Sequence, residues 1–215
     1  MKKRFKLITT IASLCLAVAL MAFGVYAATE ASFSVTNRVS FDATANVKAQ
    51  VTLAVDEWTN ITGTKPTNEN WTKVVRPELA NDVAGAEWTI LDGTEGGYFT
   101  LVPTVYEDGT QMTLVYSVTI ENTAKDSDSY PVLQVEITDA PDSENAVKAP
   151  HTFEYSAKAG ASEYAAEDLA VGKTVNVEIG TENALKITVK LVVDIAATLG
   201  NIDLGLDFKL TAIAE

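Results

Sequence analysis

Residues 31–55 read ASFSVTNRVSFDATANVKAQVTLAV, and their odd and even positions divide by polarity. The odd ones, from Ala31, Phe33 and Val35 through Val39, Phe41, Ala43, Val47, Ala49, Val51 and Leu53 to Val55, are apolar except for Asn37. The even ones from Ser32 to Thr52 are all polar, and only Ala54 departs. Successive side chains of an extended strand point to opposite faces, so a period of two predicts half-buried β-structure. A slip of one residue would expose the whole apolar set, which fixes the register. At roughly 3.3 Å per residue the stretch would be about 80 Å long if straight, wider than a domain. It must therefore turn, and Asn37-Arg38 and Thr44-Ala45-Asn46 are the expected places.

Working outward, residues 1–27 have the layout of a secretory signal peptide. Lys2, Lys3, Arg4 and Lys6 precede an apolar run from Leu7 to Phe23, and Val25 and Ala27 stand at −3 and −1 of a small-residue cleavage site. The alternative is an uncleaved anchor, since the apolar run approaches a spanning length. Removing the leader leaves 12 Lys and Arg against 29 Asp and Glu, a net charge of −17. Such a surface repels nucleic acid and anionic lipid and favours solubility, so neither nucleic acid nor membrane is an expected partner. The only cysteine, Cys15, lies in the leader, which leaves the mature chain without disulfides. Residues 28–215 carry no linker or compositional break, and one domain stabilised by burial is expected.

The rest of the chain repeats the two-residue period. Leu114, Tyr116, Val118 and Ile120 alternate with polar residues, as do Leu133, Val135 and Ile137, then Val175 and Val177, then Leu185 to Ile195, then Ile202 to Leu210. Residues 56–70 and 122–130 read as polar loops, Trp88 and Tyr98 as strand residues of the core, and Ser162–Leu169 as one or two helical turns. Ten or so strands with almost no helix predict an all-β, two-sheet antiparallel β-sandwich, jelly-roll or immunoglobulin-like, with a closed barrel as the alternative.

Chemistry is sparse. His151 is the only histidine, so a His-based triad or a zinc site lacks its residues. The carboxylates cluster in turns rather than converging on one strand face, and no enzyme is expected. Asp126 and Asp128 are spaced as in a calcium loop, without an EF-hand's glycine and distal Glu, and calcium is the one cofactor considered. Trp58 and Trp71 flank the 56–70 loop and are candidates for stacking on sugar rings. Lys186 and Lys190 alternate with apolar residues and read as solvated.

Two stretches carry resemblances. The leader, ending Gly24-Val25-Tyr26-Ala27-Ala28 and followed by Phe33 in an alternating strand, resembles exported Gram-positive proteins cleaved by a dedicated signal peptidase, among them the TasA and camelysin biofilm-matrix proteins. In that family Ala-x-Phe-x-Asp follows the glycine directly; here Phe33 comes later. The resemblance implies a jelly-roll domain that polymerises by passing an N-terminal strand to the next subunit. Camelysin's protease role does not carry over, because the metal ligands are absent. Tyr116-x-Val118-x-Ile120-x-Asn122 is similar to a strand and turn of immunoglobulin-like surface modules.

The donor-strand idea also has a physical basis. A strand freed by signal cleavage can add to another subunit's sheet edge, and Ala31, Phe33 and Val35 would supply its apolar face. The alternative is an ordinary first strand in its own sandwich. The leading expectation is a secreted or cell-surface structural protein that associates with itself or with other matrix proteins. The alternative is a polysaccharide-binding module built on Trp58 and Trp71. No hydrophobic tail or sorting signal is read after Ile213-Ala214-Glu215, so no covalent wall anchor is expected.

Overall fold

A computed structural model describes residues 33–59, 71–75, 83–93, 96–102, 104–105, 111–141, 151–194 and 202–214. The leader, Ala31 and residues 60–70 of the expected loop lie outside them. Fourteen strands are found among the described residues: β1 Phe33–Ala43, β2 Val47–Thr59, β3 Thr72–Val75, β4 Val83–Ala84, β5 Glu87–Gly93, β6 Gly96–Leu101, β7 Thr104–Val105, β8 Gln111–Asn122, β9 Val132–Asp139, β10 His151–Ala159, β11 Ser162–Tyr164, β12 Thr174–Val177, β13 Leu185–Asp194 and β14 Ile202–Ile213. They form two sheets packed face to face. The first runs β12-β9-β14-β1-β6-β3-β4, with β7 also pairing β1, and the second runs β11-β10-β13-β8-β2-β5. This is the all-β sandwich expected.

Alternation decides which residues fill the space between the sheets. Val39, Phe41 and Ala43 of β1 and Val47, Ala49, Val51 and Leu53 of β2 are all buried, as the odd positions require. Asn37 shares their parity and is buried with them. The chain turns at Thr44-Ala45-Asn46, where Asn46 takes φ +68°, a left-handed conformation that asparagine tolerates better than most residues. No turn occurs at Asn37-Arg38, which lies within β1. The turn does not make a hairpin: β1 belongs to the first sheet and β2 to the second, so it carries the chain across the sandwich.

Three other expectations are corrected. β2 continues through Thr59, with its register against β8 shifting between Val55 and Glu57, so residues 56–59 are strand rather than loop. Ser162–Tyr164 is strand β11, and only Ala166–Leu169 turns, as a 3-10 segment. Tyr98 is half-buried opposite Ser40 on the outward parity of β1, whereas Trp88 does enter the core. One pairing is parallel, β1 with β14, in an otherwise antiparallel arrangement of named strands.

An aromatic cluster lies where β1 faces the opposite sheet. Phe41 stacks on Phe208 with ring centroids 5.2 Å apart, and meets Phe99 and Trp88 edge-on at 6.1 Å each. Trp88 comes from β5 of the second sheet, so this cluster joins the two layers. At one end of the sandwich, Asn122 Nδ2 donates to the carbonyls of Pro131 (2.8 Å) and Val177 (3.0 Å), and its Oδ1 accepts the Ala124 N–H (3.0 Å). That side chain joins β8 of the second sheet to β12 of the first.

Candidate functional site

The residues proposed for a donor strand fall on β1, with Phe33 opposite Val105 of β7 and Val35 opposite Ile202 of β14. Ala31 lies outside the described residues. Far from being a loose first strand at an edge, β1 is central to its sheet. It pairs in parallel with β14 from Val35↔Ile202 to Ala43↔Leu210, and antiparallel with β6 from Asn37↔Leu101 to Asp42↔Gly96.

Polar contacts pin β1 on both faces. Inside, Asn37 Nδ2 donates to the Leu101 carbonyl at 3.4 Å. Outside, Arg38 lies across Gly205 and reaches Asp207 at 3.9 Å. A Cβ at residue 205 would stand 3.3 Å from the Arg38 guanidinium, so the glycine leaves room for it to lie flat. At the exit of β1 the Thr44 N–H donates to Leu210 O at 3.0 Å. Taking β1 away would separate β12-β9-β14 from β6-β3-β4 and leave two unpaired edges and an apolar slot facing Trp88.

Of the two sugar-stacking candidates, Trp71 is withdrawn from solvent. Trp71 is fully buried and meets Tyr116 edge-on at 5.8 Å, so it offers no face to a ligand. Its Nε1 has no hydrogen-bond partner among the described residues. Burial pushes the Tyr116 phenol up, as removal from water disfavours phenolate. Trp58 stands near the end of β2, opposite Leu114 of β8.

Of the two calcium candidates, Asp128 is engaged within the protein. Asp128 Oδ2 accepts the Lys125 N–H at 2.9 Å and the Lys48 ammonium at 3.0 Å, so it closes its own turn and ties that turn to β2. Asp126 is exposed, and no group of three or more His, Cys, Asp or Glu side chains able to hold a metal occurs among the described residues. Calcium takes six or more oxygens, and an ammonium on one of them opposes it.

The same contacts, first the Lys125 N–H and then Lys48, hold the Asp128 carboxyl below the usual carboxylate range. A depressed folded-state value adds stability that is complete above the unfolded value and lost as pH falls through the folded one. Asp128→Asn is therefore expected to melt lower than the parent at neutral pH, with the gap closing in acid. Melting curves from pH 7 to pH 3 test it, and a gap independent of pH would contradict it.

No helix among the described residues is long and apolar enough to cross a membrane. No family model and no curated protein matches the chain. Solved structures with partial similarity include a pilus-presented adhesin, at 12% identity and TM-score 0.26 over 83% of this chain and 28% of that one. Another is a mutant of the major pilin of Streptococcus pyogenes, at 10% identity and TM-score 0.27 over 84% of this chain and 49% of the pilin. The chain thus spans half or less of these proteins, and scores this low give no basis for carrying a role across.

Proposed function

We propose that this is a secreted or cell-surface, non-enzymatic structural protein, a self-assembling subunit of an extracellular matrix or fibre, in which β1 is the strand passed between copies. The observation that carries the reading is the position of β1. It fills the middle of one sheet, its sequence neighbour β2 belongs to the other, and the three residues Thr44–Asn46 join them. Such a strand can leave its own slot about a short hinge and enter the same slot in a second copy, remaking the same contacts in trans. Passed head to tail, the exchange does not close and gives an open chain.

The export-type leader and its resemblance to biofilm-matrix proteins support the extracellular setting. The absence of cysteine after residue 27 leaves hydrogen bonding and burial to hold such a polymer together. Residues 28–215 are expected to form concentration-dependent oligomers or filaments, read by light scattering and electron microscopy. Monomers at every concentration would overturn the reading.

A further inference from the structure

The outer face of the second sheet carries a groove that neither strand exchange nor the core requires. Across this face, Ala54, Ser117, Thr188 and Ser156 stand opposite one another in register, a row of small side chains. One neighbouring row is Thr52, Thr119, Lys186, Lys158 and Glu163, and the other contains Lys190 and Glu154, which pair at 3.9 Å. Long side chains thus flank a floor of hydroxyls. The resulting groove, at the β10–β11–β13 end, has a volume of about 560 Å³ and is lined by Ser156, Lys158, Tyr164, Lys186 and Thr188, with Glu163 and Glu182 also on its walls.

Two of its like charges are neighbours, although Lys158 also has Glu163 opposite it on β11. Lys158 and Lys186 face each other directly across β10 and β13, and like charges so placed repel. Neither forms an ion pair among the described residues, although Glu163 and Glu182 line the same groove. An oxyanion between the two ammonium groups would remove that repulsion and gain charge-assisted hydrogen bonds. The remaining lining offers the Ser156, Thr188 and Tyr164 hydroxyls, which donate and accept, and the Glu163 and Glu182 carboxylates, which only accept. That inventory matches a ligand bearing one anionic group and several hydroxyls. A chain with a net charge of −17 after the leader repels a long polyanion, so a short ligand with little charge suits it better. The volume lies within the range of roughly 300–1,000 Å³ usual for small-molecule sites.

We infer that the Lys158–Lys186 groove binds an acidic sugar, its carboxylate or phosphate held between the two ammonium groups and its hydroxyls met by Ser156, Thr188 and the flanking glutamates. Calorimetric titration of residues 28–215 tests this with a galacturonate disaccharide, its uncharged galactose counterpart, a hexose phosphate, acetate and inorganic phosphate. One or both acidic sugars are expected to bind, with the tighter one identifying the anion. The neutral sugar and the bare anions should be roughly tenfold or more weaker, the scale of one hydrogen bond to a charged group. Lys158→Gln/Lys186→Gln should lose roughly tenfold or more in affinity while melting close to the parent, since the repulsion it removes offsets the loss of Glu163's cross-strand partner. Lys209→Gln, on the other sheet, should bind as the parent does. Unchanged affinity in the double variant, equal binding of bare anions, or no binding of either acidic sugar would overturn the inference.

Discussion

Phe41→Ala is expected to remove about 3–5 kcal/mol of folding stability, the range for truncating a buried aromatic residue. Phe41 is 1% exposed and touches rings from three strands: Phe208 of β14, Phe99 of β6 and Trp88 of β5. Its removal leaves a void between the sheets that these rings, each held by its own strand, fill only in part. Ordinary domains are stable by about 5–15 kcal/mol, so one substitution takes a large share. Urea unfolding should show a lower midpoint with an unchanged slope, and Phe41→Leu, which retains more of the volume, should lose less. A midpoint for Phe41→Ala close to the parent's would mean that the cluster does not join the layers as described.

Asn122→Ala is expected to cost about 3 kcal/mol or more, from three hydrogen bonds lost at a buried position. The Pro131 and Val177 carbonyls would lose their donor and the Ala124 N–H its acceptor. Asn122→Asp should be worse at neutral pH, because a carboxylate would face two carbonyl oxygens without a proton to give either. Acid should narrow the difference between the two variants by restoring one donor. As a control, Gln134→Ala removes an exposed bond to Asn176 and should change stability by no more than about 0.5 kcal/mol. Equal stability of Asn122→Ala and Gln134→Ala would contradict the role given to Asn122.

Both residues show what a period of two can and cannot reveal. Phe41 sits in the apolar series of 31–55, and its burial was legible from parity alone. Asn37 and Asn122 also have inward parity, but the first reads as a turn and the second as the start of a polar loop; both are buried strand residues, and their partners lie 64 residues away in one case and 9 and 55 in the other. Trp71 follows a polar stretch and reads as a sugar-stacking candidate flanking a loop; only the structure places it inside, against Tyr116. Asp126 and Asp128 look alike in sequence, and the difference is that Asp128 accepts the Lys125 N–H and meets Lys48, brought in from β2. The Lys158–Lys186 pair was hidden for a similar reason. Alternation marks each lysine as outward, but only the register of β10 on β13 sets one opposite the other. Nothing local announces that β1 pairs in parallel with the last strand, because a parallel partner is set by topology and not by a turn.

The position of β1 is also where the proposed function is most open to refutation. Ser40 of β1 stands directly opposite Tyr98 of β6, and the chain after the leader has no cysteine to interfere. The decisive measurement is the assembly of residues 28–215 carrying Ser40→Cys and Tyr98→Cys, oxidised as a dilute monomer so that a disulfide holds β1 in its own slot. If β1 is exchanged, the locked protein stays monomeric at concentrations where the reduced one forms filaments, and adding reductant releases assembly. Filaments growing equally from the locked and the reduced protein would show that β1 never leaves its slot.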